Sequence, residues 1–364
     1  MKYQYPWFKQ IHSSKDFSNS LNAVVNNKKM TMGPQTTKLE NYLKKFLKVK
    51  HVVLTTSGTS ALMMATMAAE IKHNDIVISP NYTWVATTYP SKIMGADIKL
   101  VDNSPNSVKV SFKILNEKIK KYKPKLVLLV HLNGQPTYNE EFHKLKKKNK
   151  FLVIEDAAQS MLSKTNAGDA CGTYYDIGCF SLGIAKAINM VYGGFCTTNS
   201  SKLAAKLVAI RNNGVPSQEW FLKLEMSLRL GLNLKPSDLH SSIGLINLKK
   251  NKIISKNLLN IYKYYKENLK NPKLKLENIE GKFSVPIYVH VFVKNRKNFI
   301  SYCNKKKIGL HIGTMCLTDS APFKNYKGKF PNAKLVSQSI VRLPSGAGYK
   351  LKDIAKVVNI LNKY

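Results

Sequence analysis

Arginine and acidic residues are scarce in this sequence of 364 residues, and long apolar runs are absent. No apolar run reaches the roughly 18 residues that a transmembrane helix needs, and the N-terminus lacks the apolar core of a signal peptide. Hydrophobic residues nevertheless make up 44% of the chain, which excludes an intrinsically disordered protein. We therefore expect a globular, cytosolic protein.

The few acidic residues leave a large positive charge. Lys and Arg number 58 against 21 Asp and Glu, a formal net charge of +37. Such a balance can indicate a nucleic-acid partner, but readers of nucleic acid favour Arg for its bidentate contacts. Only four of the basic residues are arginines, namely Arg211, Arg229, Arg296 and Arg342. A solvated lysine-rich surface is the favoured interpretation, with nucleic-acid binding as the alternative.

The cysteines show no pattern of a disulfide framework or a zinc site. They are odd in number and include no CxxC pair: Cys171, Cys179, Cys196, Cys303 and Cys316. We expect free, buried thiols and no metal centre.

Helical and short apolar patterns alternate from about residue 36 to residue 215. This alternation predicts an α/β fold whose mainly parallel sheet is covered by helices on both faces. One of these helices is expected over residues 83–96, kinked at Pro90. After residue 250 the pattern changes to a smaller α+β arrangement. The sequence thus predicts a large domain over residues 1–250, including an N-terminal arm, and a small domain over residues 251–364.

The segment TTSGTSALM joins a predicted strand to a predicted helix. Its small residues, Ser57, Gly58, Thr59 and Ser60, would present backbone N–H groups and hydroxyls at the positive end of the helix. Such an end can bind an anion, although an ordinary N-cap has the same composition.

A second candidate lies in IEDAAQS, where Glu155 and Asp156 end a predicted strand. Open α/β sheets place their ligands at the carboxyl ends of strands. An acid there can bind a ribose, a metal or a protonated ring nitrogen. Asp156 could instead cap the following helix.

A third candidate is Lys186, which follows the predicted strand DIGCFS in a stretch of small and apolar residues. An ammonium in apolar surroundings is costly unless it is neutralised or covalently bonded, and a desolvated amine is nucleophilic. A lysine that extends to solvent is the alternative.

Trp84 comes just after another predicted strand. Its flat side chain could stack on the ring of a ligand, or it could be an ordinary aromatic residue of the core.

These features together match the needs of pyridoxal phosphate. The phosphate requires a helix end, the pyridine nitrogen a carboxylate, and the aldehyde an amine.

The sequence resembles the DegT/DnrJ/StrS family of sugar-nucleotide aminotransferases over nearly its whole length. The matching segments, in order, are GPQTTKLE, TTSGTSAL, GADIKLVD, VHLNGQP, IEDAAQS, DIGCFS with the following lysine, IRNNG and GLNLKPSDLHSSIGLINL. The resemblance implies an aspartate-aminotransferase-like fold, known as fold type I, and a pyridoxal phosphate cofactor that cycles through pyridoxamine phosphate.

The resemblance also implies roles for individual residues. Lys186 would bond to the cofactor aldehyde and later move the proton, and Asp156 would keep the pyridine nitrogen protonated. Gln159 would lie near the ring hydroxyl, and Trp84 would stack on the ring.

Phosphate binding and subunit contacts are implied in the same way. Gly58, Thr59 and Ser181 would bind the phosphate. Asn233 would reach into the site of the neighbouring subunit, which implies a homodimer with shared active sites.

Two segments depart from the family pattern. Leu182–Gly183–Ile184 replaces the common Phe-His-Pro, and Val191–Tyr192–Gly193–Gly194 replaces Gly-Glu-Gly-Gly. These changes concern the sugar side of the site. Some relatives carry His in place of the lysine and dehydrate the sugar, so Lys186 favours transamination.

The resemblance therefore implies transfer of an amino group from L-glutamate to a nucleotide-linked keto-sugar. The expected substrate is UDP- or dTDP-4-keto-6-deoxyglucose, which would give the 4-amino-4,6-dideoxy sugar viosamine. A 3-keto substrate is the alternative within this class. A nucleic-acid-binding or regulatory protein on the same fold is the alternative outside it.

Overall fold

A computed structural model describes residues 3–215 and 230–364 of the chain. Its central sheet has the strand order β1-β8-β7-β6-β5-β2-β4, and β3 (Tyr82–Thr83) lies outside it. The strands of the sheet are β1 (His51–Thr55), β2 (Ile76–Pro80), β4 (Asp97–Val101), β5 (Leu126–Val130), β6 (Leu152–Asp156), β7 (Ile177–Ser181) and β8 (Gly194–Thr198). Strand β8 runs antiparallel to β1 and β7, and the remaining neighbours are parallel. The predicted α/β fold with a mainly parallel sheet is confirmed.

Helices cover both faces of this sheet. Residues of the same strand alternate between two cores: Leu126 and Leu128 pack in one, and Val127 and Leu129 pack in the other. This alternation follows from the two-residue period of a strand. In the described residues up to position 268, the helices are α1 (Ser14–Val25), α2 (Pro34–Leu47), α3 (Gly58–Ala68), α4 (Tyr89–Ile93), α5 (Phe112–Tyr122), α6 (Glu140–Lys148), α7 (Ser201–Arg211), α8 (Asp238–Lys249) and α9 (Asn251–Asn268).

The C-terminal part forms a second, three-stranded antiparallel sheet in the order β12-β10-β9. Its elements are β9 (Lys275–Leu276), β10 (Val289–Phe292), α10 (Arg296–Lys305), β11 (Met315–Cys316), α11 (Pro331–Ser339), β12 (Ile340–Leu343) and α12 (Leu351–Leu361). Contacts cross the predicted boundary at residue 250, because β11 pairs with β3 and Tyr5 of the N-terminal arm bridges to Ile308. The division into residues 1–250 and 251–364 stays a prediction.

The single helix expected over residues 83–96 is wrong. A 3₁₀ turn (Val85–Thr87) is followed by the separate short helix α4, with Pro90 in its first turn. Proline lacks a backbone N–H and is tolerated where a helix begins, not in its interior. The turn before the break brings the Thr87 hydroxyl to Asp156, the last residue of β6.

The expectation of free, buried thiols is confirmed, since all five cysteines lie within the described ranges as buried free thiols. Burial raises the pKa of Cys303 and Cys316 to about 12, so both thiols are protonated at neutral pH.

None of the helices in residues 3–215 and 230–364 has both the length and the apolar character needed to cross a membrane.

The loop between β7 and β8 carries Lys186 and contains a strained residue. Leu182 N–H donates to the Gly193 carbonyl and Met190 N–H donates to the Leu182 carbonyl, each at 2.8 Å, which closes the loop. Val191 lies inside it with a φ of 69°, in the left-handed region that disfavours β-branched residues. The family that the sequence resembles commonly has glycine at the position of Val191. The backbone of Val191 thus has a conformation that glycine adopts more readily than valine.

We expect Val191→Gly to stabilise the protein. The left-handed conformation costs a non-glycine residue roughly 1–2 kcal/mol, which glycine would not incur. Glycine loses more backbone entropy on folding, and this loss offsets about half of the gain. The melting temperature should rise by about 1–3 °C in calorimetry. Asn74→Gly is the matched control, because Asn74 is exposed, has a φ of 65° and belongs to a residue type that tolerates this region. Equal shifts for both variants would contradict strain at Val191.

Candidate active site

Four strands converge at one edge of the central sheet. Strands β6 and β7 are parallel, so Asp156 and Ser181 both lie at carboxyl ends on the same edge. Gly194 begins the antiparallel strand β8 at this edge and pairs with both Ser181 and Thr55. Helix α3 starts directly after β1, which places its N-terminus beside these residues.

The N-terminus of α3 is packed tightly against β7 and β8. A Cβ atom added to Gly58 would come within 2.7 Å of the Ser181 Cβ atom. A Cβ atom on Gly194 would clash with the Ser57 carbonyl carbon. Only glycine at both positions lets the helix end, the Ser181 hydroxyl and the start of β8 approach this closely.

This helix end retains free hydrogen-bond donors. The Ser57 Oγ atom accepts from the Ser60 N–H at 3.0 Å, and the Ala61 N–H donates to the Ser57 carbonyl. The N–H groups of Gly58 and Thr59 have no partner within residues 3–215 and 230–364. Two free N–H groups beside a serine hydroxyl at a positive helix end form a suitable cradle for a phosphate.

Asp156 is buried, with 6% of its surface exposed. Its Oδ2 atom accepts from the Thr87 hydroxyl at 2.6 Å, and its Oδ1 atom accepts from the Ala158 N–H at 3.1 Å. No helix starts in the described residues 157–176, so the alternative in which Asp156 caps a helix is wrong. An ionised carboxylate has about four acceptor positions, so Asp156 can still accept a bond from a protonated ring nitrogen.

The neighbouring acid, Glu155, points to the opposite face of the sheet and has a structural role. Its carboxylate accepts from the His131 Nε2 atom at 3.0 Å. It also accepts from three backbone N–H groups, those of Gly172, Tyr174 and Tyr175. Of the two acids at this strand end, Asp156 alone keeps acceptor capacity for a ligand.

Lys186 is half-buried in the loop between β7 and β8. Phe8, Ile11 and Asn189 line a small cavity with it. Its Nζ atom has no hydrogen-bond or ion-pair partner among the residues that the structure describes. An amine without a partner is available to react or to bind.

Gln159 and Trp84 lie on segments that reach the same edge. The Gln159 Oε1 atom accepts from the Asn133 N–H at 3.0 Å, which leaves the amide NH₂ group free to donate. Trp84 is 51% exposed, so the alternative in which it is a core aromatic is wrong. Because Thr87 contacts Asp156, the turn after Trp84 is fixed beside that carboxylate.

Asn233 lies on the surface of the single chain. It forms an isolated bridge with Asn212, and its neighbour Leu232 donates to the Ile210 carbonyl at 2.7 Å. Its side chain is exposed, so its predicted contact with a neighbouring subunit stays a prediction.

Thr87 and Gly194 belong to the site, although no sequence pattern predicts either residue there. Thr87 lies inside the pattern that predicts a helix over residues 83–96, and its contact with Asp156 spans 69 positions of the chain. The two neighbouring glycines, Gly193 and Gly194, are the sequence signal that indicates close packing there.

The site can hold pyridoxal phosphate. The donors at α3 fit its phosphate, the acceptor at Asp156 fits its ring nitrogen, and the unpaired amine of Lys186 fits its aldehyde.

Comparison with known proteins extends this result to the family level. Residues 12–362 match the profile of the DegT/DnrJ/EryC1/StrS aminotransferase family. A dTDP-3-amino-3,6-dideoxy-alpha-D-galactopyranose transaminase from Aneurinibacillus thermoaerophilus is 27% identical over 96% of this chain and 95% of its own. A GDP-perosamine synthase from Caulobacter vibrioides is 32% identical over 56% of this chain and 53% of its own.

A solved structure agrees with the fold. The E. coli GDP-4-keto-6-deoxy-D-mannose-3-dehydratase with bound hydrated PLP superposes with a TM-score of 0.91, at 21% identity, over 99% of this chain and 100% of its own. The predicted fold type I architecture is confirmed. The family match also confirms the predicted enzyme class and, since the family is pyridoxal phosphate dependent, the predicted cofactor. The chain belongs to the DegT/DnrJ/EryC1/StrS aminotransferase family.

Proposed function

We propose that this enzyme transfers an amino group from L-glutamate to UDP- or dTDP-4-keto-6-deoxyglucose and so forms the viosamine product. The observation that carries the proposal is the free helix end at Gly58 and Thr59 beside the buried carboxylate of Asp156. The relatives named above act on nucleotide sugars, which supports this substrate class. The transaminase of a 3-amino sugar, similar over nearly the whole chain, favours a 3-keto substrate as the second candidate.

We assign the phosphate of the cofactor to the N–H groups of Gly58 and Thr59 and to the Ser181 hydroxyl. All three are donors, and the close contact of Gly58 with Ser181 holds them together. Asp156 would accept from the pyridine nitrogen, and the Thr87 hydroxyl orients its carboxylate. The Gln159 amide is a free donor for the ring hydroxyl, and Trp84 offers its exposed ring for stacking.

When bound, pyridoxal phosphate supplies an aldehyde for the donor amine and a ring that withdraws electrons from the reacting carbon. Lys186 would hold the aldehyde end, and its amine would accept and return the proton at the reacting carbon of donor and sugar. The lysine favours transamination over the dehydration named for the E. coli structural neighbour. The burial of Asp156 strengthens its interaction with a protonated ring.

We further propose a homodimer with shared active sites. Asn233 is exposed in the single chain. A polar side chain on this surface can reach a partner's cofactor only if two chains associate. The dimer and the glutamate donor rest on the family resemblance.

A panel of keto-sugar nucleotides tests the proposed reaction. With L-glutamate as donor, we expect mass spectrometry to detect an amino sugar from UDP- or dTDP-4-keto-6-deoxyglucose. Lys186→Ala should abolish turnover while the circular dichroism spectrum stays unchanged, because no other amine takes the place of Nζ. Lys202→Ala, at an exposed position of α7, is the matched control and should keep full activity. Amination of only 3-keto sugars would favour the second candidate, and no amination by any member would contradict the proposal.

Replacing Asp156 tests the carboxylate. Asp156→Asn preserves shape but removes the charge opposite the ring nitrogen, so we expect bound cofactor and turnover lowered by about 100-fold or more. Thr87→Val removes the donor to Asp156 and should lower turnover about tenfold, the effect of one hydrogen bond to a charged group. Thr87→Ser keeps the hydroxyl and should restore the rate. Absorbance spectra measure the cofactor content, and unchanged kinetics of Asp156→Asn would refute this role.

Mixed dimers test the shared site. A Lys186→Ala subunit paired with an Asn233→Ala subunit would place both changes in one site and leave the other site wild type. We expect purified mixed dimers to recover part of the activity that both parent variants lack. If verified mixed dimers show no recovery, Asn233 acts within its own chain.

A further inference from the structure

Tyr288 is a buried tyrosine whose hydroxyl contacts the loop that carries Lys186. The residue immediately precedes β10 and is 2% exposed. Its hydroxyl donates to the Ala185 carbonyl at 2.8 Å, and Ala185 is the residue just before Lys186. Tyr288 and Ala185 are 103 positions apart in the chain, so the folded structure alone brings them together.

The Tyr288 ring is packed on several sides, which fixes the direction of its hydroxyl. Trp7 and Phe8 of the N-terminal arm lie against it, with ring centres 5.9 Å and 5.8 Å away. The guanidinium carbon of Arg342, on β12, lies 3.9 Å from the centre of the ring. A ring packed in this way cannot turn its hydroxyl away from Ala185 without displacing its neighbours.

The backbone of Tyr288 is held as well. Its N–H donates to the Asn133 Oδ1 atom at 2.9 Å, and its carbonyl accepts from the Asn133 Nδ2 atom at 3.1 Å. The Asn133 N–H in turn donates to Gln159. Tyr288 therefore lies between the segment that holds Gln159 and the loop that carries Lys186.

The loop has few other restraints close to Lys186. On its far side, the Asn189 carbonyl accepts from the Asn247 Nδ2 atom at 2.8 Å. Closer to the amine, the part of the chain that the structure describes provides one side chain from outside the loop that hydrogen-bonds to residues 184–188, and that side chain is Tyr288. The backbone from which Lys186 extends thus depends on a single hydroxyl.

We propose that the Tyr288 hydroxyl positions Lys186 for its bond to the cofactor aldehyde. This inference rests on the proposed function and adds to it a positioning residue from the C-terminal part of the chain. The hydrogen bond to Ala185 restricts the backbone next to the lysine. An amine and an aldehyde react only when they are close and aligned, so an amine on a restrained backbone bonds more readily than one on an unrestrained loop.

Two forms of the cofactor separate this role from a general structural one. Pyridoxal phosphate can bond to Lys186, whereas pyridoxamine phosphate has no aldehyde and cannot. Tyr288→Phe removes the hydroxyl and keeps the ring. We expect the Kd of pyridoxal phosphate, measured by absorbance titration of the cofactor-free protein, to rise about three- to tenfold, as for loss of one hydrogen bond. The Kd of pyridoxamine phosphate should stay within about twofold of wild type.

Tyr265→Phe is the matched control. Tyr265 is also fully buried, and its hydroxyl donates to the Pro344 carbonyl at 2.9 Å rather than to the loop that carries Lys186. This variant loses the same kind of hydrogen bond and should leave both Kd values unchanged. In a Lys186→Ala background, Tyr288→Phe should not weaken pyridoxal phosphate binding further, because the amine through which the hydroxyl acts is absent.

Hydrogen exchange gives a second readout that needs neither cofactor nor turnover. In cofactor-free Tyr288→Phe, the amides of residues 183–190 should exchange about three- to tenfold faster than in wild type, because the loop opens more often. Tyr265→Phe should leave these rates unchanged. The comparison measures the restraint on the loop directly.

Equal weakening of both cofactor forms by Tyr288→Phe would overturn the proposal and assign the hydroxyl to general stability. An unchanged Kd of pyridoxal phosphate, further weakening in the Lys186→Ala background, or unchanged exchange at residues 183–190 would each overturn it as well. If wild type binds neither form of the cofactor, the proposed function fails. Faster exchange at residues 183–190 in Tyr288→Phe would then still support the restraint on the loop, and unchanged exchange would refute it.

Discussion

The contact between the first residue of α3 and the last residue of β7 is the constraint on which the candidate site depends. Gly58 and Ser181 are so close that no side chain fits between them, and Gly194 is pressed in the same way against Ser57. This packing fixes a helix end with two free N–H groups at the edge where β6 and β7 terminate. Substituents at either glycine would separate the donors that we assign to the phosphate.

The same edge explains how adjacent acids acquire different roles. Successive residues of a strand point to opposite faces, so Glu155 and Asp156 cannot share an environment. Glu155 is fully occupied in holding the loop at residues 172–175, and Asp156 keeps free acceptor positions. A buried acid with spare acceptor positions can still accept a hydrogen bond from a ligand. Its negative charge matches the protonated ring of the chemistry we propose.

Much of the fold and the assigned site could be predicted from the sequence, because those features are local. Short apolar runs separated by amphipathic segments predicted the sheet, and the strand-end rule placed Asp156 at the edge where ligands bind. The family resemblance added Ser181. The prediction of one helix around Pro90 was wrong, since a helical pattern does not reveal that proline lies at the start of a new helix there. Thr87 could not be predicted, because its role comes from a contact with Asp156, which is distant in the chain.

The most direct measurement is a crystal structure of the protein grown with pyridoxal phosphate. Our account predicts electron density continuous with Lys186 Nζ, the phosphate within hydrogen-bond distance of the Gly58 and Thr59 N–H groups, and the ring nitrogen against Asp156. Cofactor bound elsewhere, or a phosphate at the edge of the sheet with its ring nitrogen facing a residue other than Asp156, would contradict the account.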